Sequence, residues 1–172
     1  MKINNLTPVL FLGLFLSFGL FTSCSDDDPV VESPKTIVDI AVADSNLSVL
    51  VSALQKAELV STLQADGSFT VFAPTNEAFQ SLLNGNDSWT SLDDIPAETL
   101  KAVLLFHVVG GEVKAADLSN TYVNTLSTGP NDEMLSLQVE VDGTIEFNGD
   151  SKPISTDIMA SNGVIHTIDK VK

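Results

Sequence analysis

The most constraining feature of this sequence is an apolar stretch that runs directly into a helical pattern, at residues 69–79 (FTVFAPTNEAF). Thr70 is the one polar residue among the first five, and this composition predicts a strand that is covered on both faces. Pro74 stops the strand, Thr75 is a favourable helix N-cap, and the apolar spacing after Thr75 predicts an amphipathic helix. The rest of the chain must therefore supply structure on both sides of this strand.

A second stretch, residues 162–171 (NGVIHTIDKV), begins with Asn162-Gly163, which is a strong signal for a two-residue hairpin turn. The β-branched residues after this pair predict a strand. Farther upstream, apolar and polar residues alternate, and Asp142-Gly143 predicts another hairpin turn. The predicted strands of this part of the chain cover residues 135–141, 144–147, 154–159 and 164–171.

Helical spacing dominates the chain before residue 110. The folded part begins at Thr36 with a short predicted helix, and further helices follow the cap candidates Asp44–Asn46 and Thr75. Pro96 suits the first turn of another helix, and residues 59–63 form a further helical segment. We expect Gly110-Gly111 to end the last of these helices. Helices first and strands later predict an α+β domain rather than a nucleotide-binding alternation of strands and helices.

Residues 69–79 and 162–171 together resemble the two signature segments of the fasciclin-type (FAS1) domain in residue type, order and separation. The resemblance covers residues 36–172 and implies a single FAS1 domain. It also implies an α+β fold in which a bent β-sandwich or wedge carries an N-terminal group of α-helices. Domains of this family serve as scaffolds for adhesion and binding, so the resemblance implies a binding protein rather than a particular chemistry.

The N-terminus predicts export to the cell envelope. Residues 1–23 have the form of a signal peptide, because Lys2 precedes an apolar run at residues 9–21 that is shorter than the roughly 20 residues of a membrane-spanning helix. Cys24, the only cysteine, follows residues 21–23 in a segment that resembles a bacterial lipobox. The resemblance implies lipid attachment at Cys24, and the alternative is ordinary cleavage that leaves an unpaired thiol.

Residues 24–35 are polar, contain two prolines and predict a flexible tether. The acidic run Asp26–Asp28 resembles the tag that sends lipoproteins to the outer face of the outer membrane in some Gram-negative bacteria, and a solvated spacer is the alternative. We therefore expect a lipid-anchored protein of the outer membrane, exposed at the cell surface. Without the signal peptide, seven basic residues face 23 acidic ones, a net charge of −16, which argues against nucleic acid as a partner.

Two segments match regions that animal members of the family use for partner binding. Phe106 and His107 lie where the family usually has Tyr-His, and the missing hydroxyl removes a polar contact. Asp157, Ile158 and Met159 match an Asp-Ile-Met element that is linked to integrin binding. The resemblance implies a partner-binding role for these five residues. From the strand pattern alone, Ile158 and Met159 are ordinary core residues, and both interpretations stay open.

The residue types that catalysis or metal binding needs are not grouped in this sequence. Neither of the two histidines, His107 and His166, has the nearby ligands that a zinc site requires. We expect both to be buried, with His107 hydrogen-bonded to the backbone or to a polar side chain from Thr75-Asn76. A nucleophile motif and an EF-hand loop are both missing, so the sequence predicts a non-enzyme without cofactor or metal.

These observations favour a lipid-anchored extracellular adhesion or binding module that contacts a matrix, glycan or protein partner. The alternative is an accessory binding subunit of an outer-membrane glycan-uptake or envelope complex. Glycan sites usually expose aromatic rings, and Trp89 and Tyr122 are the candidates for that role. A single aromatic residue can instead cover the edge of a core, so for Trp89 both interpretations stay open. The partner and the oligomeric state do not follow from the sequence.

Overall fold

The structure is a computed structural model that describes residues 34–172. The predicted signal peptide, Cys24 and the tether up to residue 33 lie outside the described residues. The α-helices within 34–172 are α1 (Ile37–Ala43), α2 (Ser48–Lys56), α3 (Val60–Gln64), α4 (Asn76–Asn84) and α5 (Ala97–Phe106). Short 3-10 turns lie at Ser45–Leu47, Leu92–Asp94 and Ala115–Asp117.

Local side-chain caps explain where two of these helices begin. At the start of α1, the Thr36 hydroxyl accepts a hydrogen bond from the Asp39 N–H, while the Asp39 carboxylate accepts one from the Thr36 N–H over 2.9 Å. The hydrogen bonds from Thr36 lower the pKa of Asp39. At the start of α4, the Thr75 hydroxyl accepts a hydrogen bond from the Ala78 N–H. Both predicted helix starts are confirmed.

The strands within residues 34–172 form a sheet of seven. They are β1 (Phe69–Pro74), β2 (Val108–Gly110), β3 (Thr121–Thr128), β4 (Met134–Val141), β5 (Ile145–Phe147), β6 (Pro153–Ala160) and β7 (Gly163–Ile168). Their order across the sheet is β5-β4-β3-β2-β1-β7-β6. β1 pairs with β7 in parallel, and the other neighbours are antiparallel. The two segments that resemble family signatures therefore contribute neighbouring parallel strands, β1 and β7, inside the sheet.

Strand β1 is covered on both faces, as the sequence predicts. Val71 belongs to a core that the helices build with residues such as Leu54 and Leu104. Its neighbour Phe72 belongs to a second core on the opposite face, together with Val109, Leu118, Leu137, Val139, Phe147 and Ile168. The Phe72 and Phe147 rings lie 4.6 Å apart, so β5, at the far end of the sheet, curls back over β1. The predicted α+β class with N-terminal helices is confirmed.

Several predicted boundaries are wrong, and the last strand ends at Ile168 rather than at residue 171. The hairpin between β6 and β7 turns at Ser161 and Asn162, because Ala160 pairs with Gly163 and Gly163 already belongs to β7. The last helix ends at Phe106 instead of Gly110-Gly111, because the chain after Phe106 pairs with β1 as strand β2. Burial of Val108 and Val109 on opposite faces of the sheet outweighs the helical pattern that the sequence shows there.

Candidate functional site

Strand β6 forms one edge of the sheet and exposes large apolar side chains. Its outer side has no strand neighbour within the described part of the chain. Ile154 is 62 % exposed and Met159 is 51 % exposed, whereas Ile158 is half-buried against the helical core. Ile154 and Ile158 line one cavity, whereas Met159, the next residue after Ile158, projects from the opposite face of the strand. We refer to this exposed edge of β6, with Ile154, Ile158 and Met159, as the β6 surface. Exposed apolar side chains of this size on one strand are typical of a contact surface.

Two shallow cavities lie beside the β6 surface and share the residues Asp44 and Ile158. The first has a volume of about 360 Å³, and its lining includes Ile154, Thr75 and Thr167. The second has a volume of about 480 Å³ and is lined mainly by the end of α1, with Ile40, Ala43 and Ser45. Because Ile158 lines both, the strand and the first helices form one continuous grooved face.

Asp157 is exposed, and its carboxylate has a structural partner. The backbone of Asp157 lies in the left-handed region, at φ 58°, within a bulge that places Thr156 and Asp157 opposite His166. Its carboxylate accepts a hydrogen bond of 2.8 Å from the Ala115 N–H. Asp tolerates this conformation better than most residues do, so part of the reason for an aspartate here is local geometry.

His107 and Phe106 do not form a surface site. The His107 ring is buried, its Nδ1–H donates to the Val103 carbonyl over 2.7 Å, and its Nε2 accepts from the Lys172 N–H over 2.9 Å. Burial lowers the pKa of His107 to about 4, so the ring is neutral at pH 7. Phe106 packs half-buried against the second core. The prediction of a buried, backbone-bonded His107 is confirmed, and the bonds come from Val103 and Lys172 rather than from Thr75-Asn76.

His166 is also buried and fully bonded. Its Nδ1 accepts a hydrogen bond from the Asp157 N–H over 3.3 Å, and its Nε2–H donates to the Val113 carbonyl over 2.9 Å. The ring stacks on Phe72 with a centroid distance of 5.5 Å. His166 therefore connects the β6 bulge to the loop after β2, and neither ring nitrogen is available to a ligand.

Trp89 lies half-buried in the loop after α4 and packs against the helical core. This placement fits the interpretation that Trp89 covers a core edge. Tyr122, by contrast, is 66 % exposed on β3.

Within residues 34–172, no group of three or more His, Cys, Asp or Glu side chains could hold a metal ion. Across the same residues, no single helix is long and apolar enough to span a membrane, although the bent pair Ile37–Ala43 and Ser45–Lys56 meets the criteria of length and composition.

The family of the chain follows from comparison with known proteins. Residues 45–171 match the model of the fasciclin domain. The chain belongs to the fasciclin family. It is 41 % identical over 140 residues to Protein sll1483 of Synechocystis sp., a match that covers 81 % of this chain and 74 % of that protein. It is 35 % identical over 136 residues to transforming growth factor-beta-induced protein ig-h3 of Sus scrofa, covering 79 % of this chain but only 19 % of that longer protein.

The fasciclin fold is also found in solved structures. The chain superposes with a TM-score of 0.65 on a FAS1 domain pair from the insect cell adhesion molecule Fasciclin I, at 21 % identity. The match covers 80 % of this chain and 50 % of that pair. The predicted fasciclin-like fold, a bent β-sandwich or wedge with an N-terminal group of α-helices, is confirmed.

The structure brings only part of the predicted site together. Ile158 and Met159 lie on one edge strand, whereas His107 and Phe106 pack within the fold and Trp89 lies on the helical core. Sequence reasoning missed Ile154 as a candidate binding residue. In the sequence, Ile154 is only an apolar residue at the start of a predicted strand. The position of β6 at the sheet edge is what shows that this side chain is exposed.

Proposed function

We propose that this chain is a lipid-anchored extracellular FAS1 module that mediates adhesion or binding at the outer-membrane surface, with a matrix, glycan or protein partner contacting the β6 surface. Membership of the fasciclin family supports this proposal, and so does the resemblance in fold to a cell adhesion molecule. Cys24 supplies the lipid attachment, and the acidic segment after it extends the domain away from the membrane. The proposed role needs no catalytic group.

The exposure of Ile154 and Met159 on an edge strand is the observation that carries the proposal. Apolar side chains of this size form the anchors at the centre of many protein interfaces, and the cavities beside Ile158 provide room for side chains of the partner. The bulge at Asp157 interrupts the backbone edge, which disfavours addition of a continuous strand from the partner. The contact therefore depends on side chains rather than on an added strand.

The β6 surface can be tested with charge substitutions. Ile154→Asp and Met159→Asp place a charge within the proposed contact, and we expect each to reduce attachment of cells that express the protein to the level of a deletion strain. Met134→Asp is the matched control, because Met134 is 60 % exposed on β4, away from this surface. A thermal melt of each of the three variants checks that it folds. Normal attachment by both β6 variants contradicts the proposed contact.

The anchor has an independent test. We expect Cys24→Ser to move the protein from the membrane to the soluble fraction and to abolish labelling with a fatty-acid probe. Replacement of Asp26, Asp27 and Asp28 by alanine should keep the lipid but reduce cleavage by protease added to intact cells. If protease still cleaves this variant as fast as the wild type, the acidic run acts only as a spacer.

A further inference from the structure

A separate cavity lies at the other end of the sheet, across strands β3 and β4. It is a shallow, open depression of about 500 Å³, a volume within the range of small-molecule sites, about 300–1,000 Å³. Its lining includes Asn120, Thr121, Tyr122, Gln138, Glu140 and Asp142. We propose that this cavity, the Tyr122 cavity, binds a neutral oligosaccharide. The proposed site is distinct from the β6 surface, since the two lie at opposite ends of the strand order.

Tyr122 provides an aromatic platform. Its side chain is 66 % exposed, the highest exposure of the large apolar and aromatic side chains on the described residues. Tyr122 lies directly opposite Gln138 in the β3–β4 pairing, so both side chains project from the same face of the sheet. The tyrosine ring loses little conformational entropy when a ligand binds, and its apolar face can stack on the C–H face of a pyranose ring. The polar neighbours of Tyr122 can then bond to the hydroxyls of the sugar.

The polar groups of the cavity offer both donors and acceptors. The Asn120 Oδ1 accepts from the Val141 N–H, and the Gln138 Nε2 donates to Glu140 over 2.6 Å. No protein group within residues 34–172 forms a hydrogen bond with the Asn120 Nδ2, the Gln138 Oε1 or the Thr121 hydroxyl, so these atoms face solvent or a ligand. Each sugar hydroxyl is at once a donor and an acceptor, so a mixed set of this kind matches a polyol.

The charge of the cavity selects among ligands. Glu140 and Asp142 line it, and none of the lining residues within 34–172 is Lys or Arg. A neighbouring cavity shares these two residues and adds Thr144 and Glu146, and the Glu146 carboxylate pairs with the Lys152 ammonium over 3.2 Å. Uronic acids and sulfated sugars would bring like charge to these carboxylates, which is unfavourable. A purely cationic ligand would use the carboxylates but leave the amide donor of Asn120 without a role, so a neutral sugar fits the whole set better.

The backbone beneath the cavity is well supported. Leu137 and Val139 of β4 are almost fully buried in the second core and alternate with Gln138 and Glu140, and Val139 also contributes to the cavity lining. The Gln138 N–H donates to the Asn148 Oδ1 over 2.9 Å, and this bond connects β4 to the segment after β5. Because the strand is held from its buried face, Gln138 and Glu140 are positioned before a ligand arrives.

The test uses the full chain, extracted from membranes in a detergent without a sugar head group. Neutral hexasaccharides of glucose, mannose, xylose and galactose are titrated by calorimetry and by ligand-observed NMR, beside hexagalacturonate and nona-arginine. We expect at least one neutral hexasaccharide to bind, with little dependence on salt, and hexagalacturonate not to bind. If none of the neutral hexasaccharides binds at millimolar concentration, the proposal is wrong. Binding of nona-arginine alone, lost at high salt, would overturn it in favour of a cationic partner.

Variants locate the site. Tyr122→Ala should raise the Kd for the bound hexasaccharide about tenfold, whereas Tyr122→Phe, which keeps the ring, should stay within about threefold. Gln138→Ala should raise the Kd about fivefold. Met134→Asp, which alters neither the cavity lining nor the β6 surface, should leave the Kd unchanged. Because this assay measures hexasaccharide binding and not attachment, failure of this proposal is distinguishable from failure of the β6 contact. An unchanged Kd for Tyr122→Ala would overturn the assignment of the cavity.

Discussion

The Asn162 side chain accepts a hydrogen bond of 3.0 Å from the backbone N–H of Ile37, a residue 125 positions earlier in the chain. Its amide nitrogen donates to the carbonyls of Leu63 and Ala65, over 2.7 and 3.4 Å. One buried amide therefore connects the start of α1, the end of α3 and the turn between β6 and β7. The first N–H groups of a helix have no partner within the helix, so Asn162 satisfies a group that would otherwise be buried and unpaired.

We expect Asn162→Ala to lower the free energy of unfolding by about 3 kcal/mol, because it leaves the Ile37 N–H and the Leu63 carbonyl without partners. Asn162→Asp should also destabilise, since a carboxylate oxygen would face the Leu63 carbonyl. Urea unfolding measures both. Asn124→Ala is the matched control, because Asn124 is exposed and, within residues 34–172, its side chain bonds only to the Ser136 hydroxyl. A loss for Asn162→Ala no larger than for this control would mean that the long-range bonds contribute little.

Gly163 is required by a close approach of two backbones. It has φ 150°, and a Cβ atom there would lie 1.9 Å from the Phe69 carbonyl oxygen. We expect Gly163→Ala to cost more than about 3 kcal/mol, because a backbone carbonyl cannot move aside as a flexible side chain can. At Gly110 the nearest atom to a Cβ is 4.0 Å away, so Gly110→Ala should change stability by less than about 1 kcal/mol. Thermal and urea melts measure the stability of both variants, and equal stability of Gly163→Ala and Gly110→Ala would contradict this explanation.

The buried His107 predicts a pH dependence of stability. Its pKa is about 4 in the folded chain against about 6.5 when exposed, so between these values the unfolded state binds more protons. Stability from this residue is therefore complete above pH 6.5 and falls as the pH drops toward 4, by about 3 kcal/mol in total. Urea melts at pH 7, 6 and 5 measure the fall. His107→Gln should remove this part of the pH dependence, and an identical slope in that variant would exclude His107 as its source.

Variants of Phe72 and Asp157 distinguish a role in core packing from a role in partner binding. Phe72 is buried against Phe147 and His166, so Phe72→Ala should cost about 3–5 kcal/mol. Asp157→Ala should cost about 1–2 kcal/mol, since it loses the acceptor of the Ala115 N–H at a left-handed backbone position. Asp157→Asn keeps that acceptor and should melt within a few degrees of the wild type. If Asp157→Asn melts normally and loses attachment, the charge of Asp157 serves a partner; normal attachment assigns it a structural role.

Local sequence information predicted the elements whose causes are local. The change from strand β1 to helix α4 depends on Pro74, which ends the strand, and on Thr75, which caps the helix, and both lie next to the elements they end or begin. The α1 start depends in the same way on Thr36 and Asp39. β3 was not predicted, because its sequence (TYVNTLST) lacks a regular alternation. It becomes a strand through its pairing with β4, and that pairing is a contact between separate segments.

The sequence by itself determined the fasciclin family, the α+β class and the burial of both histidines, because these depend on signature residues and on apolar spacing along short stretches. Only the tertiary structure decided that Asn162 bonds to α1 and α3 instead of forming a turn with Gly163. It also decided that Ile154 is exposed and that Tyr122 lies beside a cavity. Exposure and long-range hydrogen bonds depend on the order of strands in the sheet and on groups far apart in the chain, which no local pattern specifies.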